Sequence, residues 1–175
     1  MSITIKALPS LDYLNTCFLY EEETGKLYWN HRPESHFPNE RTYKMWNNRF
    51  AGRECNYRNR NYYTIMLNGD NYRVHRIIFK IFYGREPFFM LDHIDGNSLN
   101  NKIDNLRECT ASQNQHNRRA KKNVQYKGVS FDARSNCYYA RCNGQHIGTF
   151  RTAESAHAAY CAEASARYGA FARFQ

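Results

Sequence analysis

Asp92 and His93 stand side by side at the end of an apolar run, in "MLDHIDGNSLNNKIDNL", and four asparagines and two more aspartates follow within a dozen residues. A carboxylate can hold a hard divalent cation through oxygen, and a neutral imidazole beside it can take a proton from water near neutral pH. If Asn114, one turn into a helix expected over "TASQNQHNRRA", faces the strand ends, its amide oxygen is a second ligand. Asp92 and Asn114 would then leave most octahedral positions to water and to substrate phosphate oxygens, as Mg²⁺ prefers. That arrangement suits cleavage of a phosphodiester.

Two plainer readings compete. An EF-hand loop beginning at Asp95 requires oxygen ligands at its fifth and twelfth positions and glycine at its sixth, but Leu99, Leu106 and Asn100 occupy these. The calcium reading fails. A turn-rich surface loop is stronger, because Asp, Gly and Asn are common turn formers. Against it stand the flanks, since a turn has no use for an acid and an imidazole closing an apolar strand. Asp95 reads as a loop cap.

The elements that must position these groups follow in order. "PFFMLDH" reads as a strand, "IDGNSLNNKID" as a loop, "NLREC" as a second strand, and "TASQNQHNRRA" as a helix with Thr110 as N-cap. Upstream, "YYTIMLNGDNYRVHR" alternates around Asn68-Gly69-Asp70-Asn71, a hairpin signal, and "RIIFKIFYG" is a helix pattern closed by Gly84. A short amphipathic start spans Leu8 to Tyr20, and "GKLYWN" is an aromatic strand after a glycine turn. Beyond the basic stretch "RRAKKNVQYK", the strands "YKGVSFD", "CYYARCN" and "HIGTF" precede an alanine-rich helix from Thr152 to Gly169. The organisation is an N-terminal extension over 1–73, a middle segment over 74–120, and a C-terminal unit over 121–175. A three-stranded sheet under one helix is near the lower size limit for independent folding.

Composition narrows the partners. The chain has 175 residues and a formal net charge of +9, with 14 Tyr and 11 Phe. Basic residues concentrate around Arg118 to Lys127, favouring a polyanion. The six cysteines show no zinc spacing and read as reduced thiols. No apolar run approaches the roughly 20 residues needed to span a bilayer, and the N-terminus lacks the h-region of a secretion signal. The expectation is a soluble protein in a reducing compartment.

"DHIDGNSLNNKIDNLRECTASQNQHN", preceded by "YRVHRIIFKIF", resembles the HNH endonucleases, and most closely their phage and intron-encoded homing branch. The resemblance implies a ββα-metal (His-Me finger) core within an α+β protein that has an N-terminal β-rich extension. It implies His93 as general base, Asp92 and Asn114 as ligands of Mg²⁺ (or Mn²⁺), and Asn105 as the residue that pins the loop and orients the histidine. Products would carry 5′-phosphate and 3′-hydroxyl ends. The third motif residue, often histidine, is asparagine here if it falls at Asn114, and the nearby His116 and Asn117 keep that assignment open. Asn117 lies at i+3 from Asn114 and shares its face, whereas His116 at i+2 points elsewhere. His75, in "VHRII", is expected to be a packed histidine supporting the site.

The C-terminal unit resembles the Apetala-two/ethylene-response-factor DNA-binding domain, through Tyr126-Lys127-Gly128-Val129, Ala140, Gly144, Ile147-Gly148-Thr149-Phe150, Thr152-Ala153-Glu154, Tyr160, Gly169 and Phe171-Ala172. That implies a three-stranded antiparallel sheet packed on one helix, with the sheet entering the major groove. Alternation puts Ser130, Tyr139, Arg141, Asn143 and His146 toward DNA, while Arg118, Arg119, Lys121 and Lys122 follow the backbone. Several arginines and tryptophans of the plant reading face are lacking. The combined expectation is a monomeric, phage-encoded, Mg²⁺-dependent endonuclease acting on double-stranded DNA in the host cytoplasm, without a membrane partner. Its rival is a non-catalytic DNA-binding regulator.

Overall fold

A computed structural model describes residues 6–117 and 125–174. The chain divides into two compact units, Met1–Glu108 and Cys109–Gln175.

The first unit opens with α1 (Leu11–Cys17), capped by Ser10, whose side chain accepts from Tyr13 N–H. At Phe18 the backbone extends into β1 (Phe18–Glu21), which pairs antiparallel with β2 (Lys26–Trp29). Helix α2 (Glu40–Phe50) follows, then β3 (Arg58–Asn59), β4 (Tyr62–Leu67) and β5 (Asp70–Arg73) in one antiparallel sheet of order β3-β4-β5. Asn68 and Gly69 alone make the β4–β5 turn, both at positive φ, 54° and 81°. The expected four-residue turn is therefore shorter, and Asp70 and Asn71 belong to β5. This matches a type I′ hairpin, whose two left-handed residues suit strand twist.

Helix α3 (Val74–Tyr83) buries Val74, Ile77, Ile78 and Phe79, and Gly84 ends it in the left-handed conformation at φ 70°. These side chains share one core with Leu14, Cys17, Phe18, Leu27, Ile65, Leu67, Ile103 and Leu106. That core runs across the expected 73/74 boundary, because α3 has no other apolar surface to cover its stripe. Strand β6 (Met90–His93) then pairs with β7 (Leu106–Cys109) in a two-stranded sheet. Phe88 and Phe89, expected within the strand, precede it and are exposed.

The second unit begins with α4 (Ala111–His116), closed by a reciprocal capping box between Thr110 and Gln113. Its sheet has the order β10-β9-β8, formed by β8 (Val129–Asp132), β9 (Cys137–Cys142) and β10 (Gln145–Phe150). Helix α5 (Ala153–Tyr168) is capped by Thr152 and buries Ala156, Tyr160 and Ala164. Small residues let sheet and helix approach closely. A Cβ on Gly128, which sits at φ +78°, would lie 2.1 Å from the Tyr160 ring. All six cysteines are free thiols. Among the described residues no helix is long and apolar enough to cross a membrane.

Candidate active site

Strand β6 carries Asp92 and His93 at its C-terminal end, and both are buried, at 6 % and 5 % exposure. Burying a carboxylate and an imidazole together is costly unless each is partnered. Asp92 Oδ2 accepts from Arg107 Nε at 3.1 Å and Nη2 at 3.0 Å, a paired contact reaching across from β7. His93 Nε2 lies 3.1 Å from Asn101 Oδ1, and Asn101 is itself only 3 % exposed. With that oxygen as acceptor, the ring is protonated on Nε2, and Nδ1 carries the lone pair.

The 94–105 loop is built around Asp95. Asn105 Oδ1 accepts from Asp95 N–H at 3.0 Å, and its Nδ2 donates to Asp95 Oδ1 at 3.0 Å and to the Asn100 carbonyl at 2.8 Å. Asn97 N–H and Asn100 Nδ2 also donate to the Asp95 carboxylate. Partial burial raises the Asp95 carboxyl pKa, but the donors Asn100, Asn97 and Asn105 together bring it below the ordinary value. Asn105 thus ties the two ends of the loop together, while Asn101 contacts the imidazole directly.

The N-terminal extension braces this loop from behind. Tyr20 Oη accepts from Ile103 N–H at 3.0 Å and donates to the Asn101 carbonyl at 3.4 Å. Gly25, in the β1–β2 turn, presses on the backbone at Asn101 and Lys102, where a Cβ would stand 2.4 Å from Lys102 N. On the other side, Ser98 Oγ donates to the Asn61 carbonyl.

His75 packs edge-on against His93, with ring centroids 5.1 Å apart and planes at 88°. Tyr62 lies 5.3 Å from His75 and 6.2 Å from His93, and the Arg73 guanidinium stands 4.3 Å above the Tyr62 ring. Burial holds the His75 pKa well below the ordinary histidine value, and His93, Arg73 and Arg76 push in the same direction. His93 is also lowered, first by burial, although Asn101, Asp95 and Asp92 oppose the shift. Both shifts favour the neutral imidazole.

Asn114 and Asn117 belong to the second unit. Asn114 is half-buried, and its side chain makes no hydrogen bond among the described residues. Asn117 is the C-cap of α4 and is buried at 6 % exposure. His116 stacks on Tyr168 at 3.5 Å, and its carbonyl accepts from Lys127 Nζ at 2.7 Å, so its ring serves the packing of that unit.

Strand register in the second unit puts Ser130, Tyr139 and Thr149 in one row and Arg141 beside His146, all on one face. Tyr139 Oη also donates to Asp132 Oδ2 at 3.2 Å, which fixes its ring. Asn143 is not on a strand: at φ 51° it forms the β9–β10 turn with Gly144. Arg118, Arg119, Lys121 and Lys122 lie outside the described residues.

Sequence reasoning passed over Arg107 and Asn101. The alternation of "NLREC" could have placed Arg107 beside Asp92, but nothing local distinguishes Asn101 from its neighbouring turn formers. Among the described residues no group of three or more His, Cys, Asp or Glu is arranged to hold a metal. In the first unit the Asp92 carboxylate offers a hard oxygen, the donor type that suits a hard divalent cation.

Residues 72–116 match the family model described as HNH endonuclease. No curated protein and no solved structure matches the chain. The match supports a nuclease domain of the HNH type over the stretch that holds Asp92, His93, Asn101, Asn105 and Arg107, and with it metal-dependent hydrolysis of DNA.

Proposed function

We propose that this protein is a homing-type HNH endonuclease, phage-encoded and acting as a monomer in the host cytoplasm, that hydrolyses phosphodiester bonds of double-stranded DNA. The observation that supports this best is the buried pair at the end of β6: a neutral His93 held by Asn101, beside a carboxylate held by Arg107. In this reading Nδ1 of His93 takes a proton from water, and the resulting hydroxide attacks phosphorus. The P–O3′ bond breaks and the departing oxygen takes a proton, leaving 5′-phosphate and 3′-hydroxyl ends. Asp92 and Asn114 would hold Mg²⁺ or Mn²⁺, which supplies charge stabilisation at the scissile phosphate and the leaving oxygen. Asn105 and Asn101 position, His75 keeps the base in an apolar wall, and Asn117 supports α4.

The C-terminal unit would place the cut, as an Apetala-two/ethylene-response-factor-like domain whose face of Ser130, Tyr139, Arg141 and His146 meets DNA, with Asn143 at the turn. Arg118, Arg119, Lys121 and Lys122 would follow the phosphates.

The deciding experiment incubates purified protein with phage DNA, with and without Mg²⁺, beside His93→Ala. Metal-dependent cleavage by wild type and its loss in the variant are expected. Equal cleavage by both would overturn the catalytic assignment, and DNA binding without any cleavage would favour a regulator.

A further inference from the structure

Between α2 and the β3-β4-β5 sheet of the first unit runs a groove of about 570 Å³. Its walls are aromatic. Trp29 and Trp46 meet edge to face at 4.9 Å, Phe50 lies 5.2 Å from Trp46, and the rim carries Tyr57 and Met66, which are 72 % and 66 % exposed. Thr64, which also lines the groove, is 8 % exposed, and its Oγ1 has no hydrogen-bond partner among the described residues. Native proteins seldom leave a buried hydroxyl unpaired, so such an atom calls for an explanation.

Strand register shows where the groove leads. Thr64 pairs with Arg73, Met66 with Asn71 and Tyr62 with Asn59, so these six side chains share the outer face of the sheet, while Ile65, Leu67 and Tyr72 enter the core. Tyr62, at the near end of this face, is the residue whose ring lies 6.2 Å from that of His93. Thr64 is one same-face step further along β4, roughly 7 Å. Through Tyr62, the sheet face that bounds the groove reaches the ring of His93. Its charge suits a nucleic acid as well: Arg53 lines it and Arg73 flanks it, while Glu54, which also lines it, has its carboxylate paired with Lys26 at 3.5 Å.

We infer that this groove receives one unstacked nucleobase of the bound DNA strand. The base stacks among the tryptophans, Thr64 Oγ1 and the amides of Asn59 and Asn71 meet its polar edge, and Arg53 and Arg73 take the adjoining phosphates. This rests on the nuclease reading for its substrate and adds to it a site for a single base.

Both tryptophans of the chain line the groove, and Trp46 lines it without lining the neighbouring hollow that Trp29 shares, so intrinsic tryptophan fluorescence reports on it. The test uses the full-length protein with a thymidine homopolymer of about 12 nucleotides, a length within the range one domain can cover, and an abasic phosphodiester of equal length. The expected result is quenching by the thymidine strand and roughly tenfold tighter binding than to the abasic strand, a preference of the size that base stacking supplies. Thr64→Val, nearly isosteric, and Met66→Glu, at an exposed position, should each reduce that preference while leaving the circular dichroism spectrum unchanged. Equal affinity for both strands in wild type, or no quenching, overturns the inference. So does quenching that grows with protein concentration alone and accompanies a dimeric mass by light scattering, which would make a second copy the occupant. Cleavage of duplex DNA without a base preference removes the groove and leaves the nuclease reading intact. A base preference without cleavage does the reverse.

Discussion

An imidazole that is to act as a general base in a dry pocket, the role proposed for His93, must be held in one tautomer and one orientation, and the contact positioned to do both is the Asn101 amide, 3.1 Å from Nε2. Asn101→Ala is expected to slow DNA cleavage by about 10–100-fold, the usual cost of losing a group that orients a site residue. DNA affinity by fluorescence anisotropy should be unchanged, since Asn101 is buried. Arg107 does a different job. Its guanidinium pairs with a carboxylate that is almost wholly withdrawn from water, so Arg107→Ala takes an ion-pair partner from a buried charge. We expect a loss of about 2–4 kcal/mol in urea unfolding, and partial recovery when Asp92→Asn is added, because the buried charge is then gone. A loss under 1 kcal/mol would show that water reaches Asp92. In the sequence, Asp92 and His93 were legible because an acid and an imidazole closing an apolar strand have no turn-forming role. Arg107 and Asn101 were not, because each becomes meaningful only through a partner eight or more positions away.

Elements matter here through what they press upon. The β1–β2 turn has its value in Gly25, whose φ of +72° and contact with the backbone at Asn101 and Lys102 leave no space for a side chain. Gly25→Ala should cost about 1–3 kcal/mol by thermal unfolding, through a strained φ and a displaced neighbour. It should also lower the cleavage rate in the manner of Asn101→Ala. A stable variant with a normal rate would separate the hairpin from the site. Hairpins, caps and the α3 stop were legible because a few adjacent residues set them: Asn68-Gly69 for φ, Thr110 and Thr152 for capping, Gly84 for the left-handed exit. Helix α2 escaped notice. Its aromatic stripe of Tyr43, Trp46 and Phe50 is only half-buried, and the one fully buried side chain is the polar Asn47, which exchanges hydrogen bonds with the Arg32 backbone, so the usual aliphatic core pattern is missing.

At the scale of the whole molecule, four of the seven histidines, His36, His75, His93 and His116, have pKa values below the ordinary one, each chiefly through burial. Below about pH 6.5 the unfolded chain binds protons at these positions that the folded chain resists, so stability is complete above that value and falls as the pH drops. The lowered carboxyls of Asp95 and Glu108 extend the same trend into more acid solution. The melting temperature should be flat from about pH 7 to 8 and decline below about 6.5, and His75→Gln should flatten the decline, as differential scanning fluorimetry would show. A flat profile down to pH 5 would mean that these rings are solvated. The sequence by itself determined the carboxylate and imidazole that close β6, the order of strands and helices around them, the turns, the caps and the excess of positive charge. Each of these is written in neighbouring residues or in composition. Only the tertiary structure decided that Asn101 holds the imidazole and Arg107 the carboxylate, that one core joins the extension to α3, that the division falls after Glu108, and that two tryptophans line a groove bounded by the sheet face that carries Tyr62. Those pairings arise when the chain closes on itself to bury its apolar faces, and closure brings together residues whose separation along the chain carries no signal.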